Sequence, residues 1–130
     1  MIVALCPTFR RRKLLQNSIA CFLAQSYEDS RLLICDDSGE HAKQAGDRWD
    51  LIDHPAFATL ADKYNFLARY AFDSLGADSI AFWEDDDIYG PHYLEYHVRA
   101  LQLNPNGWSH CNWIWERNKD GRLQLFEGLD

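Results

Sequence analysis

The sequence predicts an α/β fold in which a mostly parallel sheet is flanked by helices and followed by a C-terminal β-hairpin. Two observations support this class. Apolar runs of strand length alternate with segments of helical periodicity, and a Gly-containing turn near the end separates two strand-like segments. With 130 residues and 47% hydrophobic content, the chain is expected to form a single domain over 1–130.

The first half of the chain carries the clearest alternation. Ile2–Cys6 is a continuous apolar run typical of a parallel strand buried on both faces, and Leu32–Cys35 repeats it. Between these runs, apolar residues from position 15 to position 23 recur with helical spacing. The polar stretch 36–47 is interpreted as a loop, and Trp49–Ile52 as a short third strand.

The second half continues the pattern with another helix, strand and helix. Thr59 and Asp62 resemble a capping box that opens a helix reaching to about Phe72. The apolar residues 79–83 then predict a buried strand. Pro91 suits the first position of a third helix.

A hairpin is predicted at the end of the chain. Residues 108–115 alternate as in a strand, Asn118–Gly121 has turn composition, and Leu123–Phe126 forms the last strand. The first of these strands contains three tryptophans. Few later elements would cover them, which favours a homo-oligomer formed through the Trp-rich hairpin.

Four consecutive carboxylates, Glu84–Asp87, follow the strand predicted at 79–83. Ligands of α/β sheets bind at the carboxyl ends of the strands, and this run is expected to meet the polar ends of the first two strands there. An extended backbone would turn alternate carboxylates to opposite sides. Adjacent like charges repel, and a hard divalent cation is the simplest compensator. The alternatives are a solvated acidic turn and a calcium loop, although the latter would have Tyr89 and Tyr96 at ligand positions.

Composition excludes several classes of function. The formal net charge of −7 and the pI near 5.1 argue against nucleic acid as a partner. No segment approaches the ~20 apolar residues of a membrane span, and no signal-peptide core is present. The four cysteines lie far apart, which indicates reduced, packed thiols in a cytoplasmic protein. No glycine-rich nucleotide motif occurs, so a diphosphate would need a metal and basic side chains.

The basic run Arg10–Lys13 lies at the predicted start of the first helix. Cations there oppose the helix dipole by a few tenths of a kcal/mol each, which indicates that something offsets the repulsion. A bound phosphate contacted by Arg10 would do so. Solvated surface arginines are the alternative.

Four blocks of the sequence, taken in order, resemble family 2 glycosyltransferases with the GT-A fold. These blocks are Val3–Arg10, Leu33–Gly39, Lys63–Asn65 and Ile80–Pro91. The resemblance implies a GT-A-like domain that binds a nucleoside-diphosphate sugar together with a divalent metal, Mn²⁺ or Mg²⁺.

The resemblance also assigns roles to individual residues. The D-x-D motif of the family matches Glu84-Asp85-Asp86 or Asp85-Asp86-Asp87, and the first register is favoured by the residues that follow. Asp86 is then the principal metal ligand, Asp87 the alternative one, and Asp85 lies near the ribose or sugar. The expected donor contacts elsewhere are Pro7 and Thr8 beneath the base, Asp36 and Asp37 at the nucleoside, and Arg10 and Lys63 at the diphosphate.

Members of the family are usually longer, because their second half carries the acceptor site and a catalytic carboxylate. The catalytic base of this chain is left unassigned. A noncatalytic nucleotide-sugar-binding module, or a truncated glycosyltransferase that needs a partner subunit, is therefore the alternative to an enzyme active alone.

Overall fold

The computed structural model describes residues 1–104, 107–111, 113–117 and 119–127, with the backbone alone for 113–117, 126 and 127. Strands and helices alternate as predicted. The elements are β1 (Ile2–Thr8), α1 (Arg12–Leu23), β2 (Ser30–Asp36), β3 (Gln44–Gly46), β4 (Trp49–Asp53), α2 (Leu60–Asp73), β5 (Ser79–Phe82), α3 (Tyr93–Leu103), β6 (Trp113–Arg117) and β7 (Leu123–Glu127). The chain divides into two compact units, Met1–Glu95 and Tyr96–Asp130.

The first unit is built on a five-stranded sheet of order β3-β4-β2-β1-β5. Strands β5, β1, β2 and β4 are parallel, and β3 pairs antiparallel with β4. In the central pair, Ile2 lies opposite Ser30 and Thr8 opposite Asp36. The carboxyl ends of the parallel strands therefore share one edge.

Both faces of β1 are buried, as the apolar run Ile2–Cys6 predicted. On one face, Val3 and Leu5 belong to a core cluster with Leu67 and Ala71 of α2. Because successive strand residues point to opposite sides, Cys6 lies on the other face, where its thiol meets the hydroxyl of Ser18 in α1. The sheet is thus covered by α2 on one face and α1 on the other.

Helix α2 begins where the capping pair predicted. The Thr59 hydroxyl accepts a hydrogen bond of 3.1 Å from the Asp62 amide, which satisfies one of the free amides of the first turn. Leu67 and Ala71 are buried, whereas Leu60, which the predicted apolar face included, is 58% exposed. The buried face also contains Lys63.

Several predicted boundaries were wrong. The loop assigned to 36–47 contains β3, because Gln44–Gly46 pairs with β4 across a turn at Asp47 and Arg48. Strand β5 is only partly buried, since it lies at the sheet edge, and Phe82 is 61% exposed. Pro91 precedes the third helix by two residues, in a turn closed by the Tyr93 amide and the Gly90 carbonyl.

The second unit contains the predicted hairpin with a shifted first strand. Strand β6 begins at Trp113 instead of Trp108 and pairs antiparallel with β7. The described part of the structure does not include Asn118 or the side chains of Trp113 and Trp115. Self-association through this hairpin and a cytoplasmic location stay predictions.

The cysteines were expected to be reduced, packed thiols. All four cysteines are free, and burial raises the pKa of Cys35 to about 12, which keeps it a protonated core thiol. Cys111 is exposed, so the prediction that all four are packed was wrong.

Within the part of the chain that the structure describes, no helix has both the length and the hydropathy of a membrane crossing.

Candidate functional site

The candidate site lies at the carboxyl edge of the sheet, where β1, β2 and β5 end. Pro7 and Thr8 are buried at the end of β1, and Thr8 lies in register with Asp36 at the end of β2. On its other side, the Thr8 hydroxyl donates a hydrogen bond of 2.8 Å to Oδ2 of Asp85. The predicted convergence of the three polar strand ends is confirmed.

The acidic run forms a turn instead of extending β5. The Trp83 amide still pairs with the Leu5 carbonyl at 3.0 Å, but the Glu84 amide donates to the Tyr89 hydroxyl oxygen at 2.8 Å. The chain therefore leaves the sheet ladder at this point, and the Asp87 amide reaches back to the Glu84 carbonyl at 3.5 Å. The alternating arrangement expected for an extended backbone was wrong.

Two carboxylates of this turn are bound by the protein itself. Glu84 accepts a hydrogen bond from the Tyr64 hydroxyl of α2, and burial together with this carboxylate raises the pKa of Tyr64. Asp85 is 3% exposed and accepts from Thr8 through one oxygen and from Arg11 through the other. These contacts fix the turn on β1, α1 and α2.

The other two carboxylates, Asp86 and Asp87, are open to solvent. The side chain of Asp86 is 49% exposed, and Asp87 is also exposed. Partial desolvation and the negative charges of Asp86 and Asp85 raise the pKa of Asp87. A cation bound here would reduce that repulsion.

Asp86 and Asp87 could hold a Mg²⁺ or Mn²⁺ ion whose remaining ligands come from outside the protein. Among the described residues, no group of three or more His, Cys, Asp or Glu side chains is arranged to hold a metal. Mg²⁺ that acts on phosphate substrates is commonly bound by one or two carboxylates, with water and phosphate oxygens as the remaining ligands. Two adjacent carboxylates without a protein cage match that pattern.

The arginine that contacts the acidic turn is Arg11. Nη1 of Arg11 lies 2.9 Å from Oδ1 of Asp85 and 3.1 Å from Oδ2 of Asp86. Arg10 is exposed with a positive φ of 54°, and its guanidinium lies over the ring of Phe9. The sequence signal for Arg11 was the basic run at the helix start, which requires nearby negative charge. That charge comes from the protein's own carboxylates.

The loop after β2 is organised by Asp36, which is fully buried. Its Oδ1 accepts from the amide and hydroxyl of Ser38 at 2.9 and 2.6 Å. Its Oδ2 accepts from the His41 amide at 3.0 Å and lies 2.7 Å from the His41 ring Nδ1. Burial alone would raise the pKa of Asp36, but these hydrogen bonds outweigh it and the pKa is lowered.

Asp37 and Lys63 form a buried ion pair beside this loop. Lys63, 4% exposed, donates to the Thr8 carbonyl at 2.6 Å and to Oδ1 of Asp37. The second oxygen of Asp37 accepts from the Phe57 amide at 3.0 Å. Burial opposes ionisation of Asp37, but the bonds from Lys63 and Phe57 lower its pKa. Lys63 is therefore a buried lysine that ties β1 to β2.

A wide, open depression of about 400 Å³ lies at the same sheet edge, where β2 and β4 end. Its lining residues are Asp37, Ser38, Gly39, Asp53, His54, Pro55 and Ala56. The His54 ring stacks on Phe57 with centroids 4.1 Å apart, and the His54 amide donates to the Asp36 carbonyl. The loop after β2 and the loop after β4 therefore form one continuous lining of the depression.

The sequence also matches a profile of a known protein family. The sequence profile described as Glycosyl transferase family 2 matches residues 4–127, a range that includes every predicted site residue. A comparison with curated proteins finds no significant match. The mostly parallel five-stranded sheet with its flanking helices is consistent with the GT-A fold. From the profile match and the fold together, the chain belongs to glycosyl transferase family 2.

Proposed function

We propose that the protein is a metal-dependent glycosyltransferase that transfers a sugar from a nucleoside-diphosphate sugar to an acceptor. The observation that carries this proposal is the pair of exposed carboxylates, Asp86 and Asp87, on a turn fixed at the carboxyl edge of the sheet. Membership of the family supports the reaction class. The metal and the donor are the proposed additions.

Asp86 is the proposed principal metal ligand, and Asp87 the second. When bound, Mn²⁺ or Mg²⁺ would supply positive charge to the diphosphate, which becomes more negative as the glycosidic bond breaks. Asp85 is held by Thr8 and Arg11, so it keeps the turn in place. Its proposed position near the ribose or sugar comes from the family resemblance.

The depression at the ends of β2 and β4 is the proposed nucleoside site. It is concave, joins two loops and includes Asp37. Asp36 contributes by fixing the loop through its hydrogen bonds to Ser38 and His41. The remaining proposed donor contacts are Pro7 and Thr8 at the end of β1, Arg10 on the exposed loop that follows it, and the buried cation Lys63.

Thermal-shift measurements with UDP and GDP, with and without Mn²⁺, test the binding step. We expect stabilisation that requires nucleotide and metal together, because the diphosphate completes the metal's coordination. The variant Asp86→Ala should lose this metal-dependent part. Asp73→Ala, which removes an exposed carboxylate from the end of α2, should retain it.

Turnover of nucleotide sugars tests the chemical step. We expect Asp86→Ala to lower the rate of nucleotide release by roughly 100-fold or more, since the leaving group loses its counter-charge. Full activity of Asp86→Ala would refute the proposal. Metal-dependent nucleotide binding without release of nucleotide, even with acceptors present, would instead identify a noncatalytic binding module.

A further inference from the structure

Arg11 makes two unequal contacts with the acidic turn. Its Nη1 bridges Asp85 at 2.9 Å and Asp86 at 3.1 Å. The Asp85 side chain is 3% exposed, whereas that of Asp86 is 49% exposed. A buried carboxylate depends strongly on its partner, but an exposed ion pair contributes little. The bond to Asp85 is therefore the anchor, and the bond to Asp86 is the one that breaks easily.

The contact with Asp86 also places a positive charge where the metal would bind. A guanidinium and a divalent cation on the same carboxylate repel each other, so each weakens the binding of the other there. Both compensate the repulsion among neighbouring carboxylates, which is strongest when neither is present. The two cations are thus alternatives at Asp86.

We propose that Arg11 is a positioning residue that acts as an internal counter-cation for the acidic turn. Anchored on Asp85, it holds Asp86 while no metal is bound and releases Asp86 to the metal. This inference rests on the proposed function, because it takes Asp86 as the metal ligand. A purely structural Arg11 would stabilise the turn without competing with the metal.

Direct Mn²⁺ binding without nucleotide, measured by calorimetry and by electron paramagnetic resonance, tests the proposal. We expect Arg11→Gln to bind Mn²⁺ about five- to tenfold more tightly than the unmodified protein, because the competing charge is gone. The same variant should melt at a lower temperature, because buried Asp85 loses a partner. Tighter binding by a less stable protein is the signature of competition.

Two variants separate competition from a general change in charge. Arg12→Gln removes the neighbouring cation, which pairs with Glu40 at 3.4 Å and not with the turn. It should change Mn²⁺ affinity by less than about twofold at physiological salt, where exposed charges are screened. Arg11→Lys keeps the net charge, but its ammonium lies one bond nearer the backbone than Nη1 of Arg11 and reaches Asp86 less well. It should therefore also bind Mn²⁺ more tightly than the unmodified protein.

Asp86→Asn separates failure of this inference from failure of the proposed function. If the unmodified protein binds Mn²⁺ and Asp86→Asn does not, the metal site stands. Equal or weaker binding by both Arg11 variants would then overturn the counter-cation role. If Arg11→Gln does not fold, Arg11→Lys alone decides by the same criterion. If Asp86→Asn binds Mn²⁺ as well as the unmodified protein, the metal assignment itself is wrong, and this inference falls with it.

Discussion

At the scale of single residues, the buried pair of Lys63 and Asp37 fixes the site's geometry. The ammonium joins the Thr8 carbonyl to the Asp37 carboxylate, so the ends of β1 and β2 are linked by charge as well as by the strand ladder. The side chains are 5% and 9% exposed. Removing one partner of such a pair destabilises the fold far more than replacing both partners, because the remaining charge is buried without a counter-charge.

We therefore expect Lys63→Met to lower the free energy of unfolding by about 3 kcal/mol. Among the described residues, Asp37 would keep only the Phe57 amide as a hydrogen-bond donor outside its own backbone. The double variant Lys63→Met, Asp37→Asn should recover part of the loss, since no buried charge is left. Urea unfolding at neutral pH measures both. A change under about 1 kcal/mol, similar to that of the exposed control Lys43→Met, would contradict the pair's importance.

At the scale of elements, the sequence predicted the strands that have continuous apolar runs and missed the one that does not. All three residues of Gln44–Gly46 are exposed, and no apolar pattern marks the segment as a strand. It is a strand because the tight turn places it beside the edge of β4, with which it pairs antiparallel. Arg48 completes that turn with a positive φ of 54°, and its guanidinium donates to carbonyls near the end of α1.

Gly46 is the residue on which the β3–β4 hairpin depends. It lies opposite Trp49, and a Cβ at position 46 would come within 2.1 Å of the indole nitrogen. We expect Gly46→Ala to displace the indole, with a red shift of tryptophan fluorescence and a loss of about 1 kcal/mol or more in the free energy of unfolding. Gly90→Ala is the matched control, because a Cβ there meets nothing within 4 Å. Equal behaviour of the two variants would show that Trp49 does not cover Gly46.

At the scale of the whole molecule, the hydrophobic pattern and the family resemblance predicted which sheet edge forms the site. They did not predict which of its carboxylates are bound by other side chains of the protein. Hydrophobic periodicity shows where each strand ends, so it correctly predicted that Thr8, Asp36 and the acidic run lie at the same edge of the sheet. Whether a carboxylate is free depends on contacts between distant segments. Asp85 is buried and paired with Arg11, 74 positions away, and only the folded arrangement shows that Asp86 and Asp87 are the solvent-exposed pair.

The same contacts give the molecule a defined response to acid. Hydrogen bonds and Lys63 lower the pKa of Asp36 and Asp37 in the folded state despite their burial. The unfolded chain therefore takes up protons before the folded protein does as the pH falls. The stabilisation from these two groups is complete above their unfolded pKa of about 3.9, and it is lost progressively below that value.

We expect the urea midpoint to fall steeply below about pH 4, where the unfolded chain binds protons at these two carboxylates. The raised pKa of Asp87 acts in the opposite direction, but water screens this exposed group, so its effect is smaller. In the double variant Lys63→Met, Asp37→Asn, the acid-dependent decrease should be shallower, because one of the two carboxylates is gone. An unfolding free energy that is the same at pH 3 and pH 6 would mean that these carboxylates are not held in the way the hydrogen bonds indicate.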